Sequence, residues 1–251
     1  MNMAAPFLWL KSGANCGMLT KKGETSMEER YRRNIPALSE REQALLGEKR
    51  ALLVGCGGLG GYLAEYLTRM GIGALTAVDG DVFEPSNLNR QLGCTSATLG
   101  QGKARVLCDR AEAVRPGVRF RAVDNILTAE NAAALVKGQD VVLDALDDPA
   151  ARLLLEDACT QANVPLVHGA VQGWTAQVAV CLPGSGLLRR LYRGTAPAAE
   201  ADKTCLSFTP GLCAALQAAE AVKVLLGSAP QLTGKVLTVD LKTMEANILP
   251  V

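Results

Sequence analysis

The sequence predicts an α/β fold: a Rossmann-like, doubly wound sheet that is mostly parallel and has antiparallel strands at its C-terminal end. Three observations lead to this prediction. Short apolar runs alternate with helical patterns over residues 50–168, a glycine-rich turn follows the first run, and no helix separates the last two runs. We expect a single domain over residues 28–251, preceded by a disordered tail over residues 1–27.

The first elements are typical of a βαβ unit. Residues 50–54 form an almost continuous apolar run that leads into the glycines, as a buried parallel strand does. Residues 59–70 have the spacing of a helix, and Gly71 follows as a terminator. Residues 74–79 give a second strand, and the short return predicts that it pairs with the first in parallel.

The alternation of helix and strand continues through the middle of the chain. Residues 140–145 are almost entirely apolar, which favours a central parallel strand. Residues 102–114 have helical spacing and end before Pro116, which cannot continue a helix. By the same criteria we expect helices over 129–136 and 149–162 and strands over 118–123 and 165–168.

The pattern changes after residue 168. Residues 177–181 read as a strand without an obvious crossover, and the segment 183–202 is rich in Gly, Ala and Pro, which predicts a mobile loop. A strongly apolar helix is expected over 211–226. Two antiparallel strands are expected over 235–240 and 245–249.

Composition excludes several classes of function. The 26 Lys and Arg nearly balance the 25 Asp and Glu, and aromatic residues make up 4%, so nucleic acid is not an expected partner. No apolar run is long enough to cross a membrane. The eight cysteines include no C-x-x-C pair, so we expect no zinc. Their apolar surroundings favour reduced, buried thiols in a cytoplasmic protein.

A glycine-rich turn indicates a nucleotide site. Gly55, Gly57 and Gly60 give the pattern G-x-G-x-x-G between the first strand and the first helix, where phosphate oxygens can approach backbone N–H groups. Asp79 lies 19 residues after Gly60, at the end of the second strand, where a carboxylate accepts hydrogen bonds from ribose hydroxyls. These features fit NAD and ATP equally well.

The residues that follow favour ATP. Asn87, Arg90 and Gln91 come just after the second strand, and Lys103 follows 13 residues after Arg90. Such cations would neutralise a triphosphate and its leaving pyrophosphate, whereas an NAD site needs few of them. Asp147 follows the apolar strand 140–145, at the sheet edge that faces ligands, where a carboxylate can hold Mg²⁺ between phosphates.

Together these motifs resemble the ThiF/MoeB/HesA family, the bacterial relatives of ubiquitin-activating enzymes. The matching patterns are G-x-G-G-L-G, D-x-D-x-V-x-x-S-N-L-N-R-Q, G-x-x-K and a D-x-x-D-[ND] strand end, in that order. With the glycine turn, the resemblance implies a nucleotide site made of Gly55, Gly57, Gly58, Leu59, Gly60, Asp79, Asp81, Ser86, Asn87, Leu88, Asn89, Arg90, Gln91, Lys103, Leu146, Asp147 and Asp148. Asp148 stands where the family often has Asn.

The resemblance also implies an activity and partners. Family members adenylate the C-terminal Gly-Gly of a small ubiquitin-like sulfur carrier, and sulfur or a thiol then displaces AMP. It implies ATP and Mg²⁺, a metal-binding role for Asp147, and catalytic roles for Arg90 and Lys103. It further implies a homodimer in which Arg33, from a segment like the family's R-Y-x-R-Q-I motif, reaches the phosphates bound by the neighbouring protomer.

Cys205 is a candidate nucleophile for the later sulfur-transfer step. It lies near the cysteine that several family members use in their crossover loop, and Lys203 would lower its pKa. However, the stretch between Cys205 and the next helix looks shorter than in MoeB-like proteins. An ordinary loop cysteine is therefore the alternative.

Three other functions stay open at this point. A tRNA-modifying dehydratase of the same superfamily would keep the ATP chemistry. However, the nearly neutral net charge of the chain does not indicate a basic surface for tRNA. An NAD-binding oxidoreductase would need a hydride-transfer base and a catalytic domain, and neither is visible. A nucleotide-binding scaffold without turnover would not need Arg90, Lys103 and Asp147.

Overall fold

A computed structural model describes residues 28–193 and 204–251 of this chain. The predicted tail, residues 1–27, lies outside the described residues, and so do residues 194–203 of the predicted loop.

The described residues form alternating helices and strands. The strands are β1 (Arg50–Val54), β2 (Ala74–Val78), β3 (Arg119–Val123), β4 (Val141–Asp144), β5 (Leu166–Gln172), β6 (Thr175–Cys181), β7 (Lys235–Asp240) and β8 (Glu245–Pro250). The α-helices are α1 (Glu40–Leu46), α2 (Gly58–Met70), α3 (Lys103–Val114), α4 (Ala129–Val136), α5 (Pro149–Ala162), α6 (Leu187–Leu191) and α7 (Phe208–Leu225). Short 3-10 helices cover Glu29–Asn34 and Pro85–Asn87.

All eight strands belong to one sheet, in the order β3-β2-β1-β4-β5-β6-β7-β8. The first five strands in this order are parallel, and β6, β7 and β8 continue the sheet antiparallel. The chain moves outward from β1 in one direction and returns to β4 on the other side. Ligands of open α/β sheets bind at this switch point, beyond the carboxyl ends of the strands. The predicted fold is confirmed.

The sheet carries an apolar core on each face. Alternate side chains of the buried strands point to opposite faces, as the two-residue period of a strand requires. Leu53 and Leu143 pack with α2, α3 and α7 on one face. Leu52 and Val142 pack with α4, α5 and α6 on the other. The two cores hold the ends of β1 and β4 in a fixed position.

Most element bounds agree with the sequence prediction within one or two residues, and the differences have local causes. The strand predicted to end at His168 continues to Gln172, because it forms a hairpin with β6 through Gly173 (φ +54°). This hairpin explains why no crossover was visible. Helix α7 starts at Phe208, three residues earlier than expected.

Two helices were missed by the sequence prediction. The segment 183–202 was predicted to be a mobile loop, and this is wrong for α6, whose Leu187 and Leu188 are fully buried. The carboxylate of Glu156 accepts hydrogen bonds from the backbone N–H groups of Leu188 and Arg189 and so stabilises this short helix. Helix α1 begins with a capping box between Ser39 and Glu42.

Within residues 28–193 and 204–251, no helix has both the length and the apolar character needed to cross a lipid bilayer.

Candidate active site

A cavity of about 810 Å³ opens at the carboxyl ends of the central strands. It extends from the end of β2, past the glycine turn and the end of β4, to the β5–β6 hairpin and Cys205. Eleven of the predicted nucleotide-site residues line it: Gly55, Gly57, Gly58, Leu59, Asp79, Asp81, Arg90, Gln91, Lys103, Leu146 and Asp147. The strand order brings together residues up to 92 positions apart in the sequence.

The glycine turn is closely packed and depends on two of its glycines. Gly55 has a φ of +94°, a conformation that L side chains rarely adopt, and a Cβ there would lie 2.5 Å from the carbonyl oxygen of Ala145. A Cβ on Gly60 would lie 2.0 Å from the carbonyl oxygen of Gly55. Gly60 does not line the cavity, so its role is to let α2 begin directly behind the turn. Gly57 and Gly58 then present the N-terminus of α2 to the cavity, where backbone N–H groups suit a phosphate.

Asp79 joins the turn to the end of β2. One of its carboxylate oxygens accepts a hydrogen bond of 2.6 Å from the N–H of Cys56, and the other accepts one of 2.8 Å from the N–H of Asp81. Burial raises the pKa of Asp79 above its ordinary value, although these two hydrogen bonds and Lys103 oppose the shift. Asp79 therefore connects the glycine turn to the loop that follows β2, and it also lines the cavity.

Lys103 and Arg90 are two of the cations that line the cavity. Lys103, the first residue of α3, is buried and its Nζ lies 3.0 Å from Asp81 Oδ2. Arg90 donates hydrogen bonds to the carbonyl oxygen of Ser86 (2.9 Å) and to Asn89 Oδ1 (2.8 Å). The side-chain contact of Asp81, another predicted nucleotide residue, is therefore with Lys103.

The other predicted nucleotide residues lie outside the cavity lining. Asn87 is buried and its Oδ1 accepts a hydrogen bond from the N–H of Glu84, so it builds the loop that carries Arg90. Ser86 and Leu88 belong to the same loop. The Nδ2 of Asn89 donates to the carbonyl oxygen of Cys205 (3.1 Å) and ties this loop to the start of α7. Direct contact of Ser86, Asn87, Leu88 and Asn89 with a nucleotide stays a prediction.

Asp148 and Arg33 are also placed away from the cavity wall. The carboxylate of Asp148 caps α5 by accepting a hydrogen bond of 2.9 Å from the N–H of Ala151. This function explains why Asp can stand where the family often has Asn. Arg33 lies on the 3-10 helix Glu29–Asn34 and is exposed. Its predicted contact with a neighbouring protomer is not tested by a single chain.

Asp147 is exposed at the cavity wall, three residues after the end of β4. A carboxylate at this wall fits Mg²⁺, which is usually held by one or two carboxylates together with substrate phosphates. In the part of the chain that the structure describes, no group of three or more His, Cys, Asp or Glu side chains could hold a metal by itself. The predictions that Mg²⁺ binds and that zinc does not therefore stay predictions.

Sequence reasoning missed three parts of the cavity wall. Asn125, Ile126 and Leu127 follow β3 and face the end of β2. They could have been found, because the carboxyl ends of neighbouring parallel strands meet at one edge of a sheet. Gln172, Thr175 and Gln177 come from the hairpin, and Arg152 and Tyr192 from α5 and the end of α6. No sequence signal marked these residues, because they meet only through the antiparallel extension of the sheet.

The comparison with known sequences decides the family. Residues 31–251 match the ThiF family. The chain belongs to the ThiF family. The SAMP-activating enzyme E1 of Haloferax volcanii is 33% identical over 239 residues, which are 92% of this chain and 88% of that protein. The sulfur carrier protein adenylyltransferase of Thermus thermophilus is 35% identical over 225 residues, which are 84% and 83% of the two chains. The predicted family and the predicted class of enzyme, an adenylyltransferase, are confirmed.

Solved structures agree with the ThiF-family fold. The crystal structure of PaaA has a TM-score of 0.75 at 18% identity and covers 93% of this chain and 86% of its own. The structure of E. coli MccB with ATP has a TM-score of 0.74 at 20% identity, with coverage of 89% and 72%. At this level of identity the two structures support the fold alone.

Cys205 of this ThiF-family chain lines the far end of the cavity and is half-buried. Burial raises the pKa of its thiol above the ordinary value, although Arg90 opposes this shift. The sequence-based expectation of a lowered pKa rested on Lys203, which lies outside the described residues, so that expectation stays a prediction. Only Leu206 and Ser207 separate Cys205 from α7, and that this stretch is shorter than in MoeB-like proteins stays a prediction.

Proposed function

We propose that this protein is an ATP-dependent adenylyltransferase that activates the C-terminal Gly-Gly carboxylate of a ubiquitin-like sulfur carrier. The observation that carries the proposal is the joint placement of Arg90, Lys103 and Asp147 around one cavity beside the glycine turn. An NAD site would not need two cations and a carboxylate at that place. The names of the curated relatives support the activity and do not favour a dehydratase or an oxidoreductase.

Different residues of the cavity would bind the adenosine, the triphosphate and the carrier tail. The adenosine would lie between Asp79, which can accept hydrogen bonds from ribose hydroxyls, and Ile126 or Leu127, which offer apolar surface to the base. The triphosphate would lie along the N-terminus of α2, with Lys103 and Arg90 as its counter-charges. The cavity volume is at the upper end for small-molecule sites, which leaves room for a peptide tail towards the hairpin and Cys205.

Catalysis would then consist mainly of positioning and charge stabilisation. The tail carboxylate attacks the α-phosphate, an acyl-adenylate forms and pyrophosphate leaves with its negative charge met by the two cations. Mg²⁺, held by Asp147, would supply further neutralisation of the phosphate charge when it is bound. No protein nucleophile is required for this step.

We further propose the finer features implied by the family. The active unit would be a homodimer that shares Arg33, no zinc would be bound, and a separate donor would supply sulfur. The seven cysteines among the described residues are all free, which supports a reducing, cytoplasmic location. The single adenylation domain over residues 28–251 also stays a proposal.

Pyrophosphate exchange tests the proposed function. With labelled pyrophosphate and ATP, exchange should require a carrier that ends in Gly-Gly, and a carrier shortened by its last glycine should not support it. Asp147→Asn should lower exchange at least 100-fold, because the metal loses its carboxylate. Asp109→Asn, on the exposed side of α3, is a matched control and should retain exchange. Tight NAD binding without exchange on any Gly-Gly carrier would contradict the proposal.

A further inference from the structure

The backbone that leads into Asp147 is held on both sides. The N–H of Leu146 donates to Asp144 Oδ1 (3.0 Å), and the carbonyl oxygen of Leu146 accepts from Arg152 Nε (3.1 Å) and Nη2 (2.5 Å). That carbonyl belongs to the peptide unit whose N–H is that of Asp147. The direction in which Asp147 leaves the end of β4 is therefore fixed by two side chains, one before and one after it.

Arg152 is itself held in place by Tyr192. Its guanidinium is buried, and Nη1 donates to the hydroxyl of Tyr192 over 2.5 Å. The guanidinium carbon lies 5.3 Å from the centroid of the Tyr192 ring. The planar fork of an arginine can bind the Leu146 carbonyl and the tyrosine at the same time, which a lysine ammonium cannot do with the same geometry.

His168 and Asp144 extend this network. We call the four residues Arg152, Tyr192, His168 and Asp144 the Arg152 array. His168 Nε2 lies 3.2 Å from the Tyr192 hydroxyl and 3.1 Å from Nε2 of Gln177, and both of these groups can donate to it. The other ring nitrogen, Nδ1, lies 2.6 Å from Asp144 Oδ2. Burial lowers the pKa of His168 and keeps the ring neutral, so Nδ1–H donates to Asp144.

The array is more elaborate than a stable core requires. His168 and Asp144 are fully buried, and burying such groups costs free energy unless every one is hydrogen-bonded. A satisfied polar network instead fixes a unique geometry. Here the network reaches the Leu146 carbonyl, whose carbon is bonded to the backbone nitrogen of Asp147.

We propose that Arg152 and Tyr192 are positioning residues that orient the Asp147 carboxylate towards a divalent cation that would bind together with ATP. This inference rests on the Mg²⁺–ATP site of the proposed function. Neither residue needs to touch the metal. Outer partners of this kind usually change metal affinity 10- to 100-fold when they are removed.

Metal binding is the direct measurement. We would titrate Mn²⁺ by electron paramagnetic resonance into the protein with α,β-methylene ATP, which requires no carrier and no turnover. Tyr192→Phe should weaken Mn²⁺ binding about 10-fold, and Arg152→Lys should weaken it 10- to 100-fold. AMP binding without metal should change less than twofold in both variants. Tyr66→Phe is the matched control, because its hydroxyl reaches only Gly211 outside the cavity and its loss should leave Mn²⁺ binding unchanged.

A double-mutant cycle separates positioning from general loosening of the site. If the array acts through Asp147, then Tyr192→Phe should add less than twofold to the loss already caused by Asp147→Asn. Wild-type Mn²⁺ binding by folded Tyr192→Phe and Arg152→Lys would overturn the inference. So would an equal loss of AMP binding, or full additivity with Asp147→Asn.

Failure of the proposed function would look different. A wild-type protein that binds Mn²⁺ and the ATP analogue but exchanges no pyrophosphate contradicts the activity alone, and the variants still decide the inference. A wild-type protein without metal-dependent nucleotide binding contradicts both.

Discussion

Lys103 and Asp81 form an ion pair of 3.0 Å in which the lysine is buried and the aspartate side chain is 70% exposed. An exposed partner is screened by solvent, so this pair contributes little to stability. Lys103 is also the first residue of α3, where a positive charge is unfavourable next to the helix dipole. Its position is poorly explained by folding and well explained by an anion that is to be bound there.

Removal of the Lys103 charge should therefore separate function from stability. Lys103→Met should lower pyrophosphate exchange at least 100-fold, because the developing charge on pyrophosphate loses a fixed counter-charge. The free energy of unfolding, measured with urea, should fall by less than about 1 kcal/mol. Lys137→Met, an exposed lysine after α4, is the control and should leave both unchanged. Exchange at the wild-type rate in Lys103→Met would remove the lysine from the mechanism.

The two glycines at the start of α2 should respond differently to a methyl group. Gly60→Ala brings a Cβ to 2.0 Å from the carbonyl oxygen of Gly55, so the turn must move, and we expect a loss of about 3 kcal/mol or more in the free energy of unfolding. At Gly58 the nearest atom to a Cβ is Pro210 Cβ at 3.5 Å, an ordinary contact. Gly58→Ala should keep its stability and lose ATP affinity. Equal stability of the two variants by urea unfolding would contradict this account.

Only part of the fold and of the candidate site could be predicted from the sequence. The turn and the parallel strands follow local rules of spacing and strand order, so they were predicted correctly. Most of the predicted nucleotide residues line one cavity, and their contact with a nucleotide stays a prediction. Arg152, Tyr192 and His168 come from three separate elements and meet only because β6 folds back on β5. No local pattern encodes such a meeting. The short helix α6 was missed because its stability comes from burial of two leucines and from Glu156, 31 residues before Leu187.

Arg33 should act across a dimer if the family arrangement applies. Arg33→Ala and Lys103→Ala protomers should each be inactive alone. A mixture should regain up to about one quarter of the exchange activity, because random mixing gives half hybrid dimers with one complete site in each. Mixing Arg33→Ala with wild-type protein at equal ratios provides the reference. A monomer in sedimentation at the assay concentration, or no recovery in a mixture shown to exchange subunits, would contradict the shared site.

His168 should make the protein sensitive to acid. Its folded pKa lies below the ordinary value of 6.5, because burial outweighs the attraction of Asp144. The unfolded chain therefore binds a proton more readily, and the stability contributed by the neutral ring is present above about pH 6.5 and lost as the pH falls below it. Between pH 7.5 and 5.5 the loss should reach up to about 1.4 kcal/mol.

The variant His168→Gln isolates this contribution, since the chain has one histidine. Urea unfolding at the two pH values should show a smaller pH dependence in the variant than in the wild type, even if the variant is less stable at both. An unchanged difference between pH 7.5 and 5.5 would show that other groups, such as surface carboxylates, cause the acid sensitivity.

Cys205 should be dispensable for adenylation. Attack of a carboxylate on the α-phosphate needs positioned cations and metal but no thiol. Burial also raises the pKa of this thiol and leaves little thiolate at neutral pH. Cys205→Ser should keep pyrophosphate exchange within twofold of the wild type, as should the control Cys108→Ser on α3. Carrier thiocarboxylate formation, measured in parallel by mass spectrometry, then decides the later step. Normal exchange with abolished thiocarboxylate would make Cys205 a late nucleophile, whereas loss of exchange in a folded variant would place the thiol in the first step and refute the prediction.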